Sequence, residues 1–281
     1  MNKFGGKWTK IKIDILVDYA KAYLTIMQEF ANRYQWELVY FDGFAGSGEI
    51  QSKKGLSEIK SAAIRILELD HQKKFDIYYF VEKDKNNSSS LRNAIKNFDQ
   101  KKYVVEDDCS KKIHSLTTYV KNHNYKTKVL AYIDPFGMQV SWDSIKNLGI
   151  KGVDVFILVP TGIGVTRMLK GDGNISEPWI QKLESFLGMD RKDIINYFYA
   201  KEQTISLFEQ NESKLVKKEK TAHKVAELYK NQLQTVFKYV SKPFMLKNKN
   251  NSVMFHYYMV SQNRNAVRIA NDIIKKYNKN G

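Results

Sequence analysis

The chain has 281 residues, 43% of them hydrophobic and 13% aromatic, with a formal net charge of +16. That is enough apolar material for one large domain with a packed core, which excludes a disordered chain. No apolar run approaches the ~18 residues of a membrane span. Cys109 is the one cysteine, so an internal disulfide and a cysteine-based zinc site are excluded as well.

The charge is uneven: residues 201–281 hold 16 Lys and Arg against 6 Asp and Glu. Such an excess favours a polyanionic partner, DNA or RNA, near the C-terminal part; a solvated Lys-rich surface is the alternative use of the same charge. Met1 to Lys12 carries no apolar secretion-signal core, so a cytoplasmic location is the expectation.

Ile13, Leu16, Val17, Ala20, Tyr23, Leu24, Met27 and Phe30 recur at three- and four-residue steps, which predicts a helix over 12–31. Trp8-Thr9 precedes it, with Thr9 or a neighbour placed to cap it. Lys12 can reach a cofactor carboxylate or a substrate phosphate from there, or lie in solvent.

Leu38-Val39-Tyr40-Phe41-Asp42 reads as a buried strand running into Gly43-Phe44-Ala45-Gly46-Ser47-Gly48. A strand that stops at a Gly-rich turn brings bare backbone N–H groups to the carboxyl edge of a parallel sheet, where open α/β sheets bind nucleotides. A dinucleotide fingerprint needs a small residue where Gln51 stands, which counts against an oxidoreductase. The run from Asp42 to Gly48 instead resembles the first motif of class I S-adenosylmethionine-dependent methyltransferases, especially those that methylate base amino groups. On that resemblance Asp42, Phe44, Ala45, Gly46 and Gly48 are candidate cofactor-binding residues.

Residues 49–57 read as a loop and 58–70 as a helix. The second strand, 76–81, ends at Glu82, where a carboxylate can accept hydrogen bonds from both ribose hydroxyls of a bound nucleoside. A helix over 88–98 and a third strand over 104–109 follow. There Asp108, with Asp107 close behind, can accept a hydrogen bond from an adenine amino group. A helix is expected over 110–122; His114 and His123 have no metal-ligand partners at useful spacing, so no metal site is expected.

The fourth strand, 128–133, runs into Asp134-Pro135-Phe136-Gly137. Amino-group methyltransferases carry an Asp/Asn-Pro-Pro-aromatic run at this place, and the chain resembles it in the first two residues and departs from it at Phe136 and Gly137. The resemblance makes Asp134, Pro135 and Phe136 the candidate catalytic residues. The acid and the Pro-linked carbonyl take hydrogen bonds from the target amine and aim its lone pair at the methyl sulfonium, a displacement in which positioning supplies most of the acceleration. Phe136 contacts the base or the sulfonium. Gly137 joins Lys12 as a candidate substrate-binding residue.

The fifth strand, 153–159, ends at Pro160-Thr161-Gly162. Residues 165–240 then break the alternation, with helical stretches around 178–187, 190–200 and 214–240. They read as a helical insertion or lid between the fifth and sixth strands, whose Lys214, Lys217, Lys218, Lys220 and Lys224 can face phosphates. Residues 243–247 and 252–260 form a hairpin, and a last helix spans 265–277. The whole chain, 1–281, reads as a single α/β domain: a doubly wound, mostly parallel sheet closed by an antiparallel hairpin, as in methyltransferases.

Taken together, Trp8-Thr9-x-x-Lys12, the run from Phe41 to Gly48, Phe80-Val81-Glu82-Lys83-Asp84, Ile133-Asp134-Pro135-Phe136-Gly137, Pro160-Thr161-Gly162 and the closing hairpin-helix resemble the three-Cys-motif partner family, TcmP. The resemblance covers most of residues 8–275. It implies a methyltransferase-like fold, S-adenosylmethionine as cofactor and a neighbouring protein with a three-cysteine motif as partner. Two functions follow: an S-adenosylmethionine-dependent methyltransferase acting on an amino group of a nucleic-acid base, or a non-catalytic nucleic-acid-binding or scaffolding subunit on the same fold. No membrane partner is expected.

Overall fold

The computed structural model describes residues 7–51, 58–70, 72, 74–204 and 212–279. In chain order these residues form α1 (Lys7–Tyr34), β1 (Glu37–Asp42), β2 (Glu49–Gln51), β3 (Glu58–Lys60), α2 (Ala62–Leu67), β4 (Ile77–Val81), α3 (Lys85–Ala94), β5 (Lys102–Val105), α4 (Cys109–Asn122), β6 (Thr127–Ile133), α5 (Trp142–Asn147) and β7 (Val153–Val159). Then come α6 (Ile163–Met168), α7 (Glu177–Leu187), α8 (Arg191–Phe198), β8 (Tyr199–Thr204), β9 (Glu212–Lys217), α9 (Thr221–Val236), β10 (Tyr239–Val240), β11 (Phe244–Lys247), β12 (Val253–Ser261) and α10 (Arg264–Lys279).

The main sheet runs β10-β12-β7-β6-β1-β4-β5, with β11 also paired to β12. The strands β5, β4, β1, β6 and β7 are parallel, and β12 is antiparallel to β7. From β1 the chain winds outward through β4 to β5, then returns to lay β6 on the other side of β1. The switch point lies between β1 and β6, where a doubly wound sheet opens a crevice. This is the mostly parallel, hairpin-closed sheet of the methyltransferase-type α/β fold.

Alternation along each strand builds two cores. Leu38, Tyr40, Leu130, Tyr132, Phe156 and Tyr257 face a core shared with α1, α2, α3 and α10. Val39, Phe41, Ala131, Ile133, Val155 and Tyr258 face one shared with α4, α5, α7 and α9. Central parallel strands buried on both faces need near-continuous apolar runs; β6 supplies one from Val129 to Ile133, and β7 one broken only by Asp154, whose carboxylate accepts from Tyr19 and Ser261.

Several boundaries differ from the sequence reading. Helix α1 begins at Lys7, so Thr9 lies inside it, buried, and is not its cap. Residues 58–60 form a strand paired with β2, and α2 starts only after Ser61, whose hydroxyl accepts from the Ile64 N–H. The third strand stops at Val105, because Asp108 caps α4 by accepting from the Ser110 N–H at 2.9 Å; an acid in that place favours a helix start over strand continuation. Between β7 and β10 the chain carries α6 to α9, but also a hairpin, β8 with β9. The helix expected from 214 begins at Thr221, after Lys220 at φ 54°. Lys214's side chain and the loop at 52–57 lie outside the described residues.

Among the described residues, no helix is long and apolar enough to cross a membrane.

Candidate active site

Register fixes where the two strand-end acids point. Asp42 is in phase with Tyr40 and Asp134 with Tyr132, so period two sends all four toward α1. Tyr132 donates to Asp134 Oδ2 at 2.9 Å, and Tyr40 lies 3.5 Å from Asp42 Oδ2. From above, Lys12 of α1 forms an ion pair with Asp134 Oδ2, and Lys12 is only 6% exposed. Lys12 therefore does not lie in solvent; α1 carries it into the switch point. Asp134 Oδ1 has no donor among the described residues.

The Gly turn is held by its neighbours on both sides. The Gly43 N–H donates to the Tyr132 carbonyl at 2.9 Å, and the Ala45 N–H to the Val81 carbonyl at 3.0 Å. The Phe44 N–H donates to Asp42 Oδ1 at 3.0 Å. Gly46 has φ +67° and nothing within 4 Å of where a Cβ would stand. A positive φ beside open space is a backbone prepared for close approach by a ligand. Gly48, at φ +93°, instead packs near Ala94 and Leu91 of α3.

Glu82, just past β4, receives the Gly46 N–H on Oε2 at 2.9 Å and the Asp84 N–H on Oε1 at 2.8 Å. It thus ties the Gly turn to the next strand. Asp108 stands beyond β5, capping α4 and 3.4 Å from the exposed Lys83 ammonium. Pro135 is buried, Phe136 is 57% exposed, and Gly137 follows at φ +75°. The structure thus brings Lys12 and Asp134 into contact, sets Asp42 on the adjacent strand, and joins Glu82 to Gly46. Asp108 stands apart from this cluster, in the role of a helix cap.

Asp42 is 1% exposed. Burial pushes its carboxyl from the ordinary 3.8 up to about 7; the Phe44 N–H opposes this, Asp134 and Glu82 add to it, and Lys12 opposes it. Held near 7 when folded and near 3.8 when unfolded, the group keeps its proton longer in the native state. Its contribution to stability is therefore lost as pH rises from about 4 through 7. Asp42→Asn, which keeps an acceptor for Phe44, is expected to raise stability by about 1–3 kcal/mol at pH 8 and to change little at pH 4. Thermal unfolding at both pH values checks this, and an equal effect at both would contradict it.

Sequence reasoning missed the tyrosines. Tyr40, Tyr132 and Tyr257 are all fully or almost fully buried near these acids. Burial, and then the carboxylates of Asp42 and Asp134, push their hydroxyls well above the usual range, so all three stay neutral. The Tyr257 hydroxyl has no hydrogen-bond partner among the described residues. The repeated Tyr-x-Asp at Tyr40 to Asp42 and at Tyr132 to Asp134 was the signal that could have found the first two. Beyond β7, Thr161 Oγ1 lies 2.7 Å from His256 Nδ1, and burial pushes that imidazole down to about 4, so it is neutral near pH 7. The pair joins the Pro160-Thr161-Gly162 turn to β12.

No protein-family model and no curated protein matches the chain. Among solved structures, a protein from Legionella pneumophila described by the family-model DUF519 aligns over 98% of this chain and 93% of its own, at 12% identity and a TM-score of 0.55. At that identity the likeness shows the fold alone. The Trm1 protein of Pyrococcus horikoshii, solved with S-adenosyl-L-methionine, covers 89% of this chain and 67% of its own at 13% identity and a TM-score of 0.34. An S-adenosylmethionine-dependent methyltransferase from Clostridium acetobutylicum covers 86% and 91% at 11% identity and a TM-score of 0.35. Scores that low carry no argument about this chain. It is the strand order, with β12 antiparallel beside β7, that defines a class, the methyltransferase-type doubly wound sheet. The likeness to the TcmP family rests on the motifs alone.

Proposed function

We propose that the chain is an S-adenosylmethionine-dependent methyltransferase acting on an amino group of a nucleic-acid base. The observation that carries the reading is Asp134, followed by Pro135 and Phe136, at the switch-point end of β6 beside the Gly turn that ends β1. The residues fit the cofactor. Gly46 offers bare backbone facing open space, and each Glu82 oxygen has acceptor capacity beyond the one amide it already takes. Asp42 and Glu82 near the Gly turn, with Asp108 farther off beyond β5, suit a ligand that spans these strand ends and bears positive charge. These three, with Phe44, Ala45, Gly46 and Gly48, would hold S-adenosylmethionine, which supplies an electrophilic methyl group when bound. Asp134 accepts a hydrogen bond from the target amine through Oδ1, while Lys12 and Tyr132 hold Oδ2 and so fix the plane of the carboxylate. The exposed Phe136 ring offers a face to the base.

Calorimetric titration with S-adenosylmethionine and S-adenosylhomocysteine tests the cofactor. Glu82→Ala is expected to weaken binding by about 1–3 kcal/mol, the scale of hydrogen bonds to a charged group. Labelled-methyl incorporation into mixed DNA and RNA, with and without the three-Cys-motif protein that the TcmP resemblance implies, tests the acceptor. No cofactor binding by the wild type would remove the reading. Binding without transfer would favour the second one, a non-catalytic nucleic-acid-binding or scaffolding subunit. The departure of Phe136-Gly137 from the Pro-aromatic pattern favours that alternative.

A further inference from the structure

We propose a stacking platform for single-stranded nucleic acid on the edge of the sheet opposite Asp134. Asp42 and Asp134 end β1 and β6; Trp36 precedes β1, and Lys128 lies near the start of β6. At the C-terminal end of α1, Phe30 and Tyr34 are 41% and 48% exposed. With Trp36 they form one cluster of near-parallel rings. Tyr34 and Trp36 have centroids 5.3 Å apart at 28°, Phe30 and Trp36 6.1 Å at 29°, and Phe30 and Tyr34 6.4 Å at 9°. Cations flank the rings: Lys128 Nζ lies 4.2 Å from the Trp36 centroid, and the Arg33 guanidinium 5.7 Å from that of Tyr34. Lys128 is fixed there by donating to the Tyr125 carbonyl at 2.6 Å.

Rings left in water forfeit the burial that makes aromatic residues valuable in a core. A face meant for another apolar surface would not interleave them with cations that must then be dehydrated. Burial already pushes the Lys128 ammonium below its ordinary value. The exposed Phe30 and Tyr34 rings, with the partly buried Trp36 behind them and cations alongside, are what unpaired bases and their phosphates require: bases stack on the exposed rings and the cations meet the backbone. A duplex hides its base faces and cannot use the rings. The neighbouring Glu37 carboxylate is engaged by the Tyr119 hydroxyl at 3.0 Å and Thr127 Oγ1 at 3.2 Å, and the chain as a whole carries +16. The surface stands independently of methyl transfer, because its readout is binding alone.

The test titrates the full chain with oligothymidine and oligouridine of about 20 nucleotides, and with a duplex of equal length, following tryptophan emission and the anisotropy of labelled strands. Single strands are expected to bind more tightly than the duplex and to quench emission. The double variant Phe30→Ala, Tyr34→Ala removes only exposed rings, so it should fold, with thermal unfolding as the check; its affinity should fall at least about tenfold. Trp36→Phe keeps a ring for stacking but should lose most of the quenching. Lys128→Gln should reduce the log–log salt slope by about one. No binding of single strands, equal affinity for the duplex, undiminished binding by the double variant, or full quenching in Trp36→Phe would each overturn the proposal. The first of these outcomes would leave a protein partner as the occupant of this face.

Discussion

Asp134→Ala is expected to lower methyl transfer by about two to four orders of magnitude while leaving cofactor affinity within a few fold of wild type, as for polar groups that position a reacting atom. Oδ1 is the acceptor that the target amine would use, and alanine has none. The same change strips the partner from Lys12, an ammonium only 6% exposed. Removing one member of a buried pair costs about 3–5 kcal/mol, because the remaining charge is left uncompensated. Stability should therefore fall together with activity. Asp134→Asn separates the two effects: its one amide oxygen, set where Lys12 and Tyr132 donate, still accepts from Lys12, while the NH2 then stands at the Oδ1 place and cannot accept from an amine, so the loss of stability should be smaller and the loss of transfer should remain. Phe136→Ala is the control. That ring is exposed, so its loss should weaken substrate binding and spare both stability and cofactor affinity. Transfer by Asp134→Ala at the wild-type rate would place the chemistry elsewhere in the cleft.

Lys12→Met should produce the largest pH-dependent loss of stability. Lys12 pairs with Asp134 and opposes the upward push on Asp42. Methionine fills similar space but leaves the clustered carboxylates without that cation. With it gone, burial and the neighbouring acids push the Asp42 carboxyl further up unopposed, so the cost grows as pH rises and shrinks as Asp42 protonates. The expected loss is about 3–5 kcal/mol at pH 8 and much less at pH 5. Lys12→Arg keeps the charge but not the compact ammonium, and should lie between the two. Urea unfolding at both pH values decides the matter: an equal loss at each would mean that only packing of the lysine stem is felt.

Much of the sheet was legible because its signals are local. The apolar runs at 129–133 and, but for Asp154, at 153–159 announce buried parallel strands, and β6 and β7 lie there almost residue for residue. The Gly turn after Asp42 and the Pro after Asp134 mark where those strands must stop. Errors came where two local signals competed. Asp108 reads both as a strand-end acid and as a helix cap, and the cap prevailed. Residues 212–217 hold helix-compatible lysines and leucine, yet pair with 199–204, because a strand partner outweighs weak propensity.

The sequence by itself determined the chain order of the parallel strands β1, β4, β5, β6 and β7, the two turns that end β1 and β6, and the excess of positive charge. Each depends on residues a few positions apart, whose backbone preferences and burial periods act within a single element. Only the tertiary structure decided what meets at those turns. Lys12 and Asp134 are 122 residues apart, and their contact depends on α1 crossing the sheet above the switch point. The Tyr257 hydroxyl nears the acids because β12 runs antiparallel beside β7. Lys128 covers Trp36 only because β6 pairs with β1 in the register that sets Lys128 opposite Leu38. Such contacts follow from register and packing between elements distant in the chain, and a one-residue slip in either strand would turn these side chains to the opposite face.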